Sequence, residues 1–191
     1  DDFSAGHIST DEAKSLIAEI QVRLGNEEFH FYPGVSYRHL MVWKNGKDKM
    51  KLTPPHDISG KPIKPYLPVE AESSPVLKLI QQSQEFLPAC SVNRQRLSQG
   101  KKLANSIWLW GQGKKVELPS FHEKFGINGA IISAVDLIKG LGRILGLKVI
   151  NVPGATGYYD TDYEGKAKYA IKSLEEKQFE KKDKYRYDPY F

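Results

Sequence analysis

Ala13, Leu16, Ile17, Ile20 and Leu24 recur every third or fourth position, a spacing that places them on one face of a helix. Ser9 with Glu12 three residues later forms a capping box at its start, and Gly25 stands where it should end. Residues 29–43 turn to a β-rich pattern with Pro33-Gly34 as the turn. Residues 44–73, rich in proline and lysine, read as a long irregular loop. Ser74-Pro75 then opens a helix predicted to run to about Leu87, as an N-cap and N1 pair. The second half has another rhythm. Apolar runs at 107–110, 129–134 and 148–152 alternate with helical stretches at about 120–125, 136–146 and 162–177, which predicts a parallel sheet covered on both faces. The first half is α+β, the second α/β. The polar stretch 98–102 places a boundary near residue 100.

Composition narrows the class. A chain of 191 residues with 40% hydrophobic and 27% charged residues is ordinary for a soluble globular protein. No run approaches the ~20 apolar residues of a membrane span. The start, Asp1-Asp2-Phe3, carries neither an initiator Met nor signal-peptide character, so it does not read as a natural N-terminus. The sole cysteine, Cys90, excludes an internal disulfide and a cysteine-rich metal site, and a reducing, cytoplasmic setting is expected. The net charge of +5 comes from lysines, many interleaved with acids. The tail KKDKYRYDPYF comes nearest to a basic, aromatic stripe, but its own charge almost cancels, so no nucleic acid is expected. An anionic small substrate fits the surplus.

Several motifs have more than one reading. Lys139, Gly140, Leu141 and Gly142, with Gly146, imitate a dinucleotide loop. They fall inside a helix, however, where glycines serve close helix–sheet packing. Gly111-Gln112-Gly113-Lys114-Lys115 directly follows an apolar run, and is either a plain turn or an anion-binding loop. Asp160 and Asp162 are either metal ligands or caps for the helix after them. Arg38 and His39 would face opposite ways in a regular strand, so both reach one ligand only at a bulge or strand end. Arg38 suits a phosphate or carboxylate. His56-Asp57 is either an exposed loop pair or an acid–base pair. Cys90, read as ending a helix, has no pattern supporting a nucleophile.

Six strings in order then resemble one family: AGHIST at 5–10, PGVSYRHLMVW at 33–43, PPHDISG at 54–60, ANSIWLWGQGK at 104–114, INGAIISAVDLIKGLG at 127–142 and VPGATGYYDTDYEGKA at 152–167. Together they resemble the archaeal-type cofactor-independent phosphoglycerate mutases of the alkaline phosphatase superfamily, over about residues 3–179. The resemblance implies interconversion of 2-phosphoglycerate and 3-phosphoglycerate in glycolysis and gluconeogenesis. It also implies two divalent metals (of the Mn, Mg, Zn or Co class) and a phosphorylated Ser or Thr intermediate. Residues 1–100 then correspond to an inserted substrate-covering α+β domain, 101–179 to part of an α/β phosphatase-like core, and 180–191 to a tail outside the family pattern. The nucleophile and metal ligands are expected outside this chain, which would bind no metal and be inactive alone. Arg38, His39, His56, Asp57, Lys114 and Lys139 are the expected substrate contacts, with His56 and Asp57 placed to move the proton of the acceptor hydroxyl. Two alternatives remain: a related metal-dependent phosphotransferase or phosphatase on another small phosphorylated acid, and a stand-alone anion- or nucleic-acid-binding module. Oligomeric state leaves no sequence signal.

Overall fold

The computed structural model describes residues 2–176, and the expected tail at 180–191 lies outside them. The chain forms two compact units, dividing between Lys114 and Lys115.

The first unit is built on α1, Thr10–Leu24. Its capping box is complete: Ser9 Oγ accepts from the Glu12 amide, and Glu12 accepts from the Ser9 amide. The helix stops at Gly25, where a Cβ would stand 2.3 Å from the Gln21 carbonyl oxygen. Its buried face meets an antiparallel hairpin of β1, Phe29–Tyr32, and β2, Leu40–Trp43, in the register Phe29↔Trp43 to Tyr32↔Leu40. The two-residue period sends Phe29 and Phe31 into the core, with Met41 and Trp43 packed against it. Tyr32, Leu40 and Val42 remain exposed. The hairpin connection is not a tight turn at Pro33-Gly34 but the whole of 33–39.

Short 3₁₀ turns at Pro55–Ile58, Lys64–Tyr66 and Ala71–Ser73 break up the long loop, and Met50 and Ile58 from it are buried. Helix α2, Ser74–Phe86, buries Val76, Leu79 and Ile80. Its N-cap is Ser73 rather than Ser74, and the Ser73 hydroxyl donates to the Glu70 carbonyl instead of capping. Helix α3, Ser91–Ser98, has no counterpart in the sequence expectation, and Cys90 stands before it rather than at a helix end. Its inward residues are polar, which is why no apolar period marks it. Asn93 is buried and donates to the carbonyls of Leu87 (2.7 Å) and Ala104 (2.9 Å). Arg96 is only 2% exposed and donates to the carbonyls of Lys102 (2.8 Å) and Ala5 (2.6 Å). The Lys102 ammonium meets Asp2 at 2.7 Å, so the two ends of this module lie together.

The run 107–110, expected as a strand, carries no ladder. Its partners are a helix and a loop: the Ile107 amide donates to Ser83 Oγ at 3.0 Å, the Trp108 indole donates to the Thr53 carbonyl at 2.8 Å, and Ile107 and Leu109 pack on the core. These contacts carry residues 104–114 into the first unit, moving the compact division well past the boundary expected near residue 100.

The second unit follows the expected order. Helix α4, Phe121–Phe125, has a Ser120/Glu123 capping box and ends at Gly126 with φ +69°. Strand β3, Ala130–Ile132, helix α5, Asp136–Ile144, and strand β4, Lys148–Ile150, form a parallel pair in the register Ala130↔Lys148 to Ile132↔Ile150. Helix α6, Tyr163–Glu175, closes the described part, and the end of the helix expected to 177 lies outside it. Gly142 serves packing as expected: a Cβ there would stand 2.5 Å from Ile131 Cγ2. Among the described residues of this unit no large apolar side chain is fully buried, and Leu137 is 77% exposed. None of the helices among the described residues is long and apolar enough to cross a membrane.

Candidate functional site

Arg38 and His39 lie in the hairpin connection, at the entry to β2, so the strand-end condition for both to serve one ligand is met. The connection is pinned from below. Ser36 has φ +53°, its hydroxyl donates to the Ile8 carbonyl at 2.6 Å, and its amide donates to Thr10 Oγ1 at 3.1 Å. Nothing in the sequence flags Ser36 as left-handed, a conformation uncommon outside glycine. Gly34 is required for space, since a Cβ would stand 2.3 Å from the Arg38 carbonyl oxygen. The Arg38 guanidinium lies over the Tyr37 ring at 5.7 Å and is otherwise open to solvent. His39 Nδ1 accepts from the Gly34 amide at 3.1 Å, an arrangement that needs an unprotonated nitrogen. Crowding by the surrounding chain pushes the His39 pKa below its ordinary value, although the residue as a whole is exposed.

His56 and Asp57 occupy the first 3₁₀ turn, fixed by Pro54 before it and Pro55 at its first position. His56 Nε2 stands 3.7 Å from Asp57 Oδ1, an ion-pair separation longer than a hydrogen bond, and both side chains are exposed. The imidazole also meets the Trp110 ring edge to face, with centroids 5.2 Å apart. Lys114 lies 3.8 Å from Asp48 with its ammonium in solvent. Lys139 is partly covered on α5, in the second unit. The structure therefore brings His56 and Asp57 together. Among the described residues, no hydrogen bond, ion pair or ring contact joins them to Arg38, His39, Lys114 or Lys139.

Charge does single out this region. Residues 38–64 hold seven Lys or Arg against two Asp, a surplus of five that equals the net charge of the whole chain.

The remaining motifs have structural duties. Asp162 accepts from the Gly165 amide at 2.8 Å and caps α6, while Asp160 accepts from the Thr156 hydroxyl. The Cys90 thiol is half-buried and donates to the Phe86 carbonyl, and burial pushes its pKa up, away from the thiolate. Among the described residues no three of His, Cys, Asp and Glu are grouped to hold a metal ion. The described residues do not fit a dimetal centre.

In fold, the chain is similar to solved structures from two archaea. A cofactor-independent phosphoglycerate mutase from Thermoplasma acidophilum aligns with a TM-score of 0.53 at 25% identity, over 90% of this chain and 46% of that one. A Pyrococcus horikoshii protein aligns with a TM-score of 0.65 at 24% identity, over 91% and 42%, a likeness of fold alone. In sequence, residues 1–93 match the family model described as 2,3-bisphosphoglycerate-independent phosphoglycerate mutase. A Geobacter sulfurreducens protein named as a probable enzyme of that description is 56% identical over 174 residues, and one from Methanosarcina barkeri is 51% identical over the same number. Each alignment covers 91% of this chain and 44% of the relative. Over 91% of its length the chain is thus similar to proteins named 2,3-bisphosphoglycerate-independent phosphoglycerate mutase, and it spans less than half the length of these curated relatives.

Proposed function

We propose that this chain is the substrate-capturing part of a cytoplasmic enzyme that interconverts 2-phosphoglycerate and 3-phosphoglycerate, the activity for which its relatives are named. The observation that carries this reading is the placement of the whole positive surplus on residues 38–64, the stretch that also presents the His56–Asp57 pair. A phosphoglycerate has a carboxylate and a phosphate a few bonds apart, and both need cationic partners. Arg38 supplies a planar fork for one of them. His39, whose Nδ1 accepts from the Gly34 amide, donates through Nε2. His56, next to Asp57, exchanges the proton of the acceptor hydroxyl. Lys114, 3.8 Å from Asp48 of the same basic stretch, adds charge to the first unit.

Residues 1–100 act in this reading as an inserted substrate-covering domain, and 101–179 as part of an alkaline-phosphatase-like core. Two features support that division of labour. The ends of the first module meet through Lys102–Asp2 and Arg96–Ala5, as in a domain hung from another by two adjacent strands of chain. The second unit has a sheet of only two strands, β3 and β4, among the described residues, and most of its large apolar side chains are open. A parallel pair of strands is stable when both faces are covered. The nucleophile and two divalent metal ions belong to the remaining length of such a protein.

Titration of the chain with 3-phosphoglycerate, followed by amide NMR, tests the reading. Saturable shifts at residues 34–39 and 56–58 are expected, with affinity falling roughly tenfold in Arg38→Ala, the worth of a charged hydrogen-bonded contact. Salt-sensitive binding of oligonucleotides without any response to phosphoglycerate would sink it. So would a full-length relative with this sequence that turned over a different phosphoester and had no mutase activity.

A further inference from the structure

Residues 108–114 run along the loop that carries His56, and alternate side chains of this extended segment reach it. The Trp108 indole donates to the Thr53 carbonyl at 2.8 Å. The Gln112 amide donates to the Met50 carbonyl, and the Lys114 ammonium lies 3.8 Å from Asp48. Between them Trp110 meets the His56 ring edge to face, centroids 5.2 Å apart and planes 75° to one another. Ile107 and Leu109, at the intervening positions, face the core and do the packing. Trp110 is 47% exposed, so core filling does not account for an indole at this place.

We propose that Trp110 is a positioning residue for His56, setting the rotation of the imidazole while Trp108 and Gln112 hold the loop backbone just before it, at Thr53 and Met50. The physical need is plain. An exposed histidine in a loop turns freely about two bonds, and freezing it when a ligand arrives costs affinity. Asp57 Oδ1, at 3.7 Å, is too far to fix the ring by a hydrogen bond. The indole edge contact restricts it beforehand and leaves the Asp57 side of the ring open. An aromatic in contact with the reacting group, on a segment bonded to the loop at two other points, supports a site from behind. The consequence for ligand binding rests on His56 serving the phosphoglycerate site.

The test uses the 191-residue chain labelled with ¹⁵N, with the His56 imidazole signals assigned by their loss in His56→Gln. In Trp110→Leu those signals shift as the indole ring current is removed, and 3-phosphoglycerate binding weakens roughly three- to tenfold, the worth of an aromatic pair. Trp110→Phe keeps a ring and restores most of the affinity, while the amide spectrum of residues 10–32 stays unchanged in both variants. His56 signals in Trp110→Leu that superimpose on those of the unaltered chain overturn the proposal. So does a Phe variant as impaired as the Leu variant. A chain that binds no phosphoglycerate at all would defeat the functional reading, and the ring signals would still decide the positioning.

Discussion

Arg96 Nη1 donates to Glu12 Oε2 at 2.8 Å across 84 positions of sequence. The guanidinium is buried, and its other nitrogens hold the carbonyls of Ala5 and Lys102, so one side chain ties together the N-terminal turn, the start of α1 and the exit from α3. Removing it leaves a carboxylate and two carbonyls short of partners. Arg96→Ala is therefore expected to destabilise the first unit by about 3–5 kcal/mol, the cost of breaking a buried pair from one side. Urea unfolding followed by tryptophan fluorescence measures it, because all three tryptophans, Trp43, Trp108 and Trp110, lie in this unit. A loss below about 1 kcal/mol, as for an exposed ion pair, would contradict the clamp.

The same contact has a pH signature. Burial alone would raise the Glu12 pKa, but the Ser9 hydroxyl, the Ser9 amide and the Arg96 guanidinium outweigh it and lower it to about 2 from an ordinary 4.5. A carboxyl depressed in the folded state lends stability above its unfolded pKa and loses it as pH falls towards the folded one. The urea midpoint of the first unit is thus expected to fall between about pH 4.5 and 2. Asp2, held down chiefly by Lys102, adds to the loss in the same direction. Glu12→Gln is less stable at neutral pH and shallower in its acid dependence. An acid slope unchanged in that variant would assign the effect to other carboxyls.

Two glycines on α5 separate packing from propensity. A Cβ at Gly140 meets nothing within 4 Å, whereas one at Gly142 falls 2.5 Å from Ile131 Cγ2. Gly140→Ala is expected to gain up to ~1 kcal/mol from helix propensity. Gly142→Ala forces the helix from the sheet and loses about 1–3 kcal/mol despite the same gain. Hydrogen exchange at α5 amides compares them directly, and equal protection in the two variants would refute the close approach.

What the sequence discloses follows from where each element finds its partners. Helix α1 announces itself because its burial is apolar and its cap is local, with Ser9 and Glu12 three residues apart. Helix α3 stays hidden because it is held by Asn93 and Arg96, whose partners lie 6 to 91 positions away. The run 107–110 imitates a strand because it is apolar and extended, yet its hydrogen bonds go to Ser83 and Thr53. The site divides likewise. His56 and Asp57 are neighbours in sequence and in space, but the indole against His56 comes from 54 positions away and reads beforehand only as part of an apolar run. Ser36 in the left-handed region has no local signal, since its hydroxyl and amide answer to Ile8 and Thr10.

Leu137, Ile171 and Leu174 on α5 and α6 stand open in the second unit, at 77%, 57% and 67% exposure. Apolar area of this kind attracts other apolar surface at about 25 cal/mol per Å². The chain is therefore expected to bind a hydrophobic dye such as ANS and to self-associate with rising concentration. A chain carrying Leu137→Gln, Ile171→Gln and Leu174→Gln together binds less dye and stays monomeric, with the first unit melting as before. In a protein of the relatives' full length, where further polypeptide covers these helices, the same triple substitution is expected to cost several kcal/mol, since each exchange then buries an amide in place of an apolar side chain. Equal melting of the substituted and unsubstituted full-length proteins would mean that these faces remain in water there too, and that the second unit is not part of a larger packed core.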